Sequence, residues 1–551
     1  MTPEQLSDLI VASLADLSAG GAITLSTSVP ETVTVERPRQ KGHGDYATNV
    51  ALQLGKQSGL APRELAELLA ERLVAADGIA DAEVAGPGFV NITVDAGAQG
   101  VLADEVVAAG AAYGRSDALA GERIDVEFIS ANPTGPLHLG HTRWAAVGDA
   151  LARVLEAAGA QVEREFYIND RGVQMDLFGD SVLARALGED VPADGYHGEY
   201  VADLAQEVLA ARPGILELPH QERRVAFREE AYRIQLAQQQ AELAEFQTVF
   251  DVWFSERTLH EDQSVADNLE KLRGEGHLYD ADGAVWMRTT DFGDDKDRVL
   301  IRSNGELTYF ASDTAYYLDK RGRGFDRCIY LLGADHHGYV GRLRAMAACA
   351  GDDPDTSIEV LIGQLVKIMQ GGQELKLSKR AGTLVTLREL IDLIGVDPLR
   401  YTLARYPSDS PLTLDAGEMT RQASENPVFY VQYAHARVAS ILRNAADLGL
   451  APGSHPQLLT HEKEGELLRA LAELPRVVAA AAALREPHRV ARYLEDTAAA
   501  YHRFYDSCRV LPLGDEEPND LHRARLRLVE ATRVVLANGL GLLGVSAPDR
   551  M

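Results

Sequence analysis

Two histidines and two lysines are placed so that they can act on phosphate. His138 and His141 fall three apart at the end of the stretch Ser130-Ala131-Asn132-Pro133-Thr134-Gly135-Pro136-Leu137-His138-Leu139-Gly140-His141. At a helix start this spacing sets both rings on one face, as donors to a phosphate that becomes pentavalent during attack. Gly135 and Gly140 admit a close ligand, while Pro133 and Pro136 stiffen the approach. A metal pair and two helix-capping side chains are the alternatives, but no Glu follows as in His-Glu-x-x-His and no third ligand lies close in sequence. The second group is Glu374-Leu375-Lys376-Leu377-Ser378-Lys379-Arg380-Ala381-Gly382. Only nine of the 54 basic residues are lysine, yet Lys376 and Lys379 flank Ser378. Ammonium groups on long stems suit a loop that follows migrating phosphates, the plainer alternative being a solvated basic turn.

The histidine loop sits inside a βαβ pattern. A β-rich run at 124–129 precedes it, an amphipathic helix from about 142 to 158 follows, and a second β-rich run covers 162–168. Further β-rich runs at 284–287, 299–302, 328–332 and 361–369 alternate with helical text, and charged helical text at about 180–247 reads as an insertion. The region 113–417 is therefore expected to be an α/β doubly wound parallel sheet with ligands at the carboxyl ends of its strands. Residues 1–112 read as a small α+β domain, with a helix over 62–76, two short strands around Gly86-Pro87-Gly88, and a glycine-rich linker at 110–121. Residues 418–551 read as a helix bundle broken near Pro452 and Pro512.

Composition sets the limits. With 551 residues, 46% hydrophobic and 25% charged, the chain has the balance of an ordinary globular protein of several domains. The longest fully apolar run, 477–484, is far short of a bilayer span, so no membrane partner is expected. Three widely spaced cysteines make neither a disulfide framework nor a thiolate zinc cage, and the first twenty residues carry acid but no Lys or Arg. A cytoplasmic location and no protein-bound structural metal are expected. Net charge is −29, which taken alone argues against a polyanionic partner. From 418 to 551, however, sixteen basic residues face seventeen acidic ones, so that region can tolerate one.

The string from Asn132 to His141 resembles the first signature of class I aminoacyl-tRNA synthetases in the form found in arginyl-tRNA synthetases, and Lys376-Leu-Ser378-Lys379 resembles their second. The resemblance implies a Rossmann-type catalytic domain using ATP with Mg²⁺, and tRNA(Arg) and L-arginine as partners, in a monomer. It implies that Ala131, Asn132, Pro133, Thr134, Gly135, Pro136, Leu137, His138, Leu139, Gly140 and His141 hold and activate ATP. Lys376, Ser378 and Lys379 are implied to act on its phosphates. Leu307 to Tyr316 resembles the family's Tyr-x-x-x-Asp element. By that likeness Glu127 and Asp313 pair with the guanidinium, Tyr309 packs on it, and Asn132 holds the amino-acid backbone. Leu332-Gly333-Ala334-Asp335-His336-His337-Gly338-Tyr339 is similar to a later family element, implying Asp335 on the ATP ribose and His337 facing the substrate, with Gln364 lining the adenine pocket. Gly42 to Asn49 and Gly86 to Asn91 resemble the family's N-terminal domain, implying tRNA contacts from Phe89 and Asn91. Asn426 to Arg437 resembles the start of its anticodon domain, where Tyr430, Arg437 and Arg509, with Arg443 and Arg503, are expected to meet tRNA.

Overall fold

The strand Arg123–Glu127 is hydrogen-bonded to a parallel neighbour on each side, because the chain returns to it through long helical crossovers. The computed structural model describes residues 1–38, 42–261, 264–375 and 385–551. Among these, five strands run parallel in the order Ile358–Gly363, Arg327–Gly333, Arg123–Glu127, Gln161–Ile168, Val252–Ser255. The chain adds strands first on one side of Arg123–Glu127 and later on the other. The order thus reverses there, and a crevice opens at the carboxyl ends. The first crossover is the helix Leu139–Ala157, which starts three residues earlier than its hydrophobic pattern suggests because His138 caps it. It lies close on the sheet: a Cβ on Gly148 would stand 2.5 Å from the Phe128 ring.

The doubly wound sheet is present as expected, but two β-rich runs do not belong to it. Ala284–Met287 and Arg298–Ile301 join Leu278–Ala281 in a separate antiparallel sheet. Only Asp282 and Gly283, both with positive φ, connect Ala281 to Ala284. A two-residue turn makes a hairpin, whereas a parallel crossover needs a dozen residues or more. The run at 361–369 is two strands. Ile358–Gly363 ends the parallel sheet, and Val366–Gln370 leaves it to pair with Leu412–Asp415.

The helices Val173–Leu187, Glu199–Ala211 and His220–Glu245 lie in the crossover from Gln161–Ile168 to Val252–Ser255 and enclose a core of their own around Phe178, Val182, Leu204 and Phe227. The N-terminal region is a four-stranded antiparallel sheet backed by Pro3–Ala19, Val50–Ser58 and Pro62–Val74, and its separate core runs from Leu6 to Val94. Helix Ala96–Ala109 instead sends Leu102, Ala103 and Val106 into the large core. That core passes unbroken from the sheet into the helices Pro427–Asp447, Glu462–Ala472, Leu474–Leu484, His488–Ser507 and Asp520–Leu542. At its centre Arg400, fully buried, donates to Asp149 (2.5 Å), to the Phe246 carbonyl (2.8 Å), to Thr248 (2.9 Å) and to the Leu543 carbonyl (3.2 Å). One guanidinium fork thus joins the first crossover helix, the end of the insertion and the C-terminal turn.

Candidate active site

The crevice is a cavity of about 1170 Å³ that gathers the histidine loop, the end of Arg123–Glu127, the helix Tyr309–Gly322 and the turn after Ile358–Gly363. His138 and His141 stack with ring centroids 3.8 Å apart and an interplanar angle of 23°. They also cap the helix. Nδ1 of His138 accepts from the Gly140 amide and Nδ1 of His141 from the His138 amide, each at 3.2 Å. Capping and phosphate chemistry are therefore compatible, because a neutral ring that accepts through Nδ1 carries its proton on Nε2, where it is a donor. Burial lowers both histidines, His141 to about 3 with His138 adding to the effect, so the pair is neutral near pH 7. Of the expected nucleotide loop, Asn132, His138, Leu139, Gly140 and His141 line the cavity. The segment from Pro133 to Leu137 supports them from behind: Tyr200 donates to the Thr134 carbonyl (2.9 Å) and Gln239 to the Gly135 carbonyl (2.7 Å). Ala131 is buried beneath.

One end of the cavity is built for a cation. Ile129 and Ser130 take φ of 72° and 44°, costly for side-chain-bearing residues, about 1–3 kcal/mol each. The kink turns Ser130 back, so that its hydroxyl donates to Glu127 Oε1 (2.9 Å) and accepts from the Tyr167 amide (3.2 Å). Glu127 is buried, not a solvent-facing strand end. Asp313 lies across the same cavity. Burial pushes its carboxyl up to about 7, Glu127 and Glu256 adding to the effect and Arg342 opposing it. Tyr309, one helical turn before Asp313, is 76% exposed at the mouth, so it is free to cover a bound side chain and is no core aromatic. Glu256 is a further carboxylate on this cavity that sequence reasoning missed. Burial raises it to about 7 against Arg171, Asp170 adding. It follows a short strand without a distinctive neighbour, and no local signal marks it.

The other end suits a nucleotide. Gly363 is required there, since a Cβ would stand 2.3 Å from the Trp144 ring. Arg143 holds the following turn by donating to the carbonyls of Gln364 (2.6 Å), Pro407 (2.8 Å) and Ser410 (3.0 Å). Gln364 and the 74% exposed Leu365 face the cavity, as does Asp335. His337 corrects an expectation. It is exposed and is not among the lining residues, whereas His336 is. The segment Ala334–Tyr339 is a 3₁₀ helix, whose turn of about 120° per residue aims adjacent side chains in different directions. Lys376, Ser378 and Lys379 lie outside the described residues.

A second cavity, about 330 Å³, opens in the C-terminal helices between Phe429, Tyr430, Tyr433, Arg437 and His502. Arg437 stacks over Tyr505, 4.0 Å from its centroid. The other arginines expected to meet tRNA are engaged: Arg443 with the Asp549 carbonyl, Arg503 with Glu466 and Arg509 with Glu516. In the N-terminal sheet Phe89 is 41% exposed, not buried, and Asn91 hydrogen-bonds His43 (3.3 Å).

A parallel sheet whose order reverses beside a helix-capping His-x-x-His, with a cation pocket and a nucleotide pocket in one crevice, is the framework of a class I aminoacyl-tRNA synthetase. The same fold recurs at low identity. Methionyl-tRNA synthetase of Mycobacterium tuberculosis superposes with a TM-score of 0.53 at 13% identity, over 76% of this chain and 91% of that one. The chain belongs to the arginyl-tRNA synthetases. Residues 4–94 match the family described as arginyl tRNA synthetase N terminal domain, 105–397 the tRNA synthetases class I (R) catalytic domain, and 431–551 the DALR anticodon binding domain. It is 58% identical to the arginine–tRNA ligase of Frankia alni and 57% identical to that of Paenarthrobacter aurescens, each over the whole of both chains. Thermus thermophilus arginyl-tRNA synthetase superposes over the whole of both chains with a TM-score of 0.76 at 25% identity.

Proposed function

We propose that the chain, an arginine–tRNA ligase by family, binds arginine and MgATP side by side in the crevice and uses position and charge, not a side-chain nucleophile. A carboxylate oxygen of arginine attacks the α-phosphorus, the bond to the β-phosphate oxygen breaks, and pyrophosphate leaves. A ribose hydroxyl of the terminal tRNA nucleotide then attacks the activated carbonyl, and AMP leaves. The Nε2–H groups of His138 and His141 donate to phosphate oxygens as negative charge builds on them. Lys376 and Lys379 are assigned to the leaving pyrophosphate. Glu127 and Asp313 read the guanidinium, Tyr309 covers it, and Asn132 holds the amino-acid backbone. Asp335 takes the ribose, and Gln364 with Leu365 takes the base. Magnesium enters with the nucleotide, as part of that substrate. The carboxylate group Asp125, Glu163 and Glu165 does not suit it, because Lys320 and Arg323 already pair with these carboxylates.

The observation that carries this reading is the convergence of Glu127 and Asp313 on the cavity that the capping histidines line. An acidic, recessed end selects a cationic side chain, because a neutral isostere would leave desolvated carboxylates without a partner. The aromatic cavity around Tyr430 and Arg437, together with exposed Phe89, supports tRNA contacts at both ends of the chain. Pyrophosphate exchange with each of the twenty amino acids, with and without tRNA, tests the assignment: exchange is expected with arginine alone, and comparable exchange with any neutral amino acid would refute it.

A further inference from the structure

Tyr309, Asp313, Tyr316 and Lys320 follow one another at spacings of four, three and four along the helix Tyr309–Gly322, a single stripe facing the sheet. The stripe descends from the mouth of the cavity to behind its floor. Tyr309 is exposed, Asp313 is recessed, and Tyr316 is buried and donates to Glu165. Lys320, fully buried, ends it. Its ammonium donates to Asp125 (2.5 Å) and to Glu127 Oε2 (2.8 Å), and stands 4.5 Å from the ring centroids of both Tyr316 and Tyr330. Both rings also line the cavity. Two carboxylates and two aromatic faces make a cage of the kind that takes a cationic ligand, and here the chain fills it with its own side chain. Burial works against the charge on Lys320, but Asp125 and Glu127 outweigh it and hold the ammonium well above its usual range. Arg323 meets Glu163 and Glu165 next to it (both 2.7 Å), so the carboxylates on this sheet face are matched from within.

Glu127 is thereby held at both oxygens, Oε1 by Ser130 and Oε2 by Lys320, and only its remaining lone pairs face the cavity. We propose that Lys320 is the positioning residue for arginine recognition: it occupies the inner half of a shared cation cage, fixes Glu127 beside the incoming guanidinium, and backs Glu127, Tyr316 and Tyr330, the floor that sets how long a substrate side chain fits. This rests on the assignment of Glu127 and Asp313 to the guanidinium made above.

Replacing Lys320 alone leaves two buried carboxylates unpaired and endangers folding, so the test uses Lys320→Met combined with Asp125→Asn, alongside Lys320→Arg and Glu127→Gln, in tRNA-dependent pyrophosphate exchange. For the double variant the expected result is an arginine KM at least tenfold above wild type, with ATP KM within twofold and kcat within threefold. Lys320→Arg keeps the charge but raises the floor. It is expected to increase arginine KM at least tenfold while ATP KM stays put, and to worsen discrimination against the longer homoarginine least of all the variants. An arginine KM within threefold of wild type in both Lys320 variants, with Glu127→Gln raised at least tenfold, would overturn the role of Lys320 and leave the pocket assignment standing. Equal rises in arginine and ATP KM would also overturn it, by showing a general structural role. An unchanged arginine KM in Glu127→Gln would overturn the pocket assignment, and this inference with it.

Discussion

The raised carboxyl of Asp313 makes arginine binding a proton-linked event. Free Asp313 titrates at about 7 because it is withdrawn from water next to Glu127 and Glu256, and arginine is a cation throughout the neutral range. Below about 7 the free site holds a neutral carboxylic acid, which must lose its proton before it can pair with the guanidinium. Affinity is therefore gained as pH rises through 7 and lost as it falls. About nine-tenths of free sites are ionised at pH 8 and about one-tenth at pH 6, so arginine KM should rise about tenfold between them. His138 and His141 do not supply this change, since both are lowered by burial, His141 to about 3. Glu256 titrates in the same range and faces the same cavity, so it would steepen the dependence. The assay is arginine-dependent pyrophosphate exchange from pH 6 to 8.5 with tRNA and MgATP saturating, run on wild type and on Asp313→Asn. A flat arginine KM in wild type, or an undiminished slope in Asp313→Asn, would refute the reasoning.

Three further outcomes are expected. Asp313→Asn should keep the melting temperature, and both Asp313→Asn and Glu127→Gln should keep ATP KM but lose about 3–5 kcal/mol of arginine recognition, several hundredfold or more in kcat/KM, and narrow the gap to citrulline; near wild-type arginine kinetics in both would place the pocket elsewhere. Lys379→Ala should lower kcat far more than it raises arginine KM, as expected for a group that acts on charge developing in the phosphates, and an unchanged kcat rejects that role. Because Arg443, Arg503 and Arg509 are already engaged, tRNA affinity should fall only shallowly with salt compared with basic RNA-binding proteins; a steep log–log slope would show that many phosphates are neutralised.

The parts of this molecule legible in its sequence are those where local chemistry and global placement coincide. The His-x-x-His loop needs a strand before it and a helix after it, and that order is visible along the chain. Tyr309 and Asp313 are marked by the stretch's resemblance to a family element, and their helical period continues to Tyr316 and Lys320, which leads to the floor of the pocket. The Asp282-Gly283 dipeptide is an ordinary hairpin signal, and it marks the 278–287 region as antiparallel where β-rich composition alone suggested more of the parallel sheet. Choosing between His336 and His337 depended on the local backbone being a 3₁₀ turn, which residue types do not reveal. Glu256 reaches the cavity only through tertiary placement of a strand 129 residues downstream of Glu127, and nothing local announces it.

The unbroken core beneath the crevice also bears on how the chain can be taken apart. Apolar side chains from Leu102 to Val545 form one cluster, and Arg400 locks three of its segments together. The catalytic and anticodon-type segments, distinct as sequence families, thus make up one cooperative unit: cutting between them strips solvent protection from both, so neither half is a natural fragment for expression, grafting or exchange between relatives. The N-terminal sheet, with a core of its own, is a module that evolution or an engineer can replace as a block.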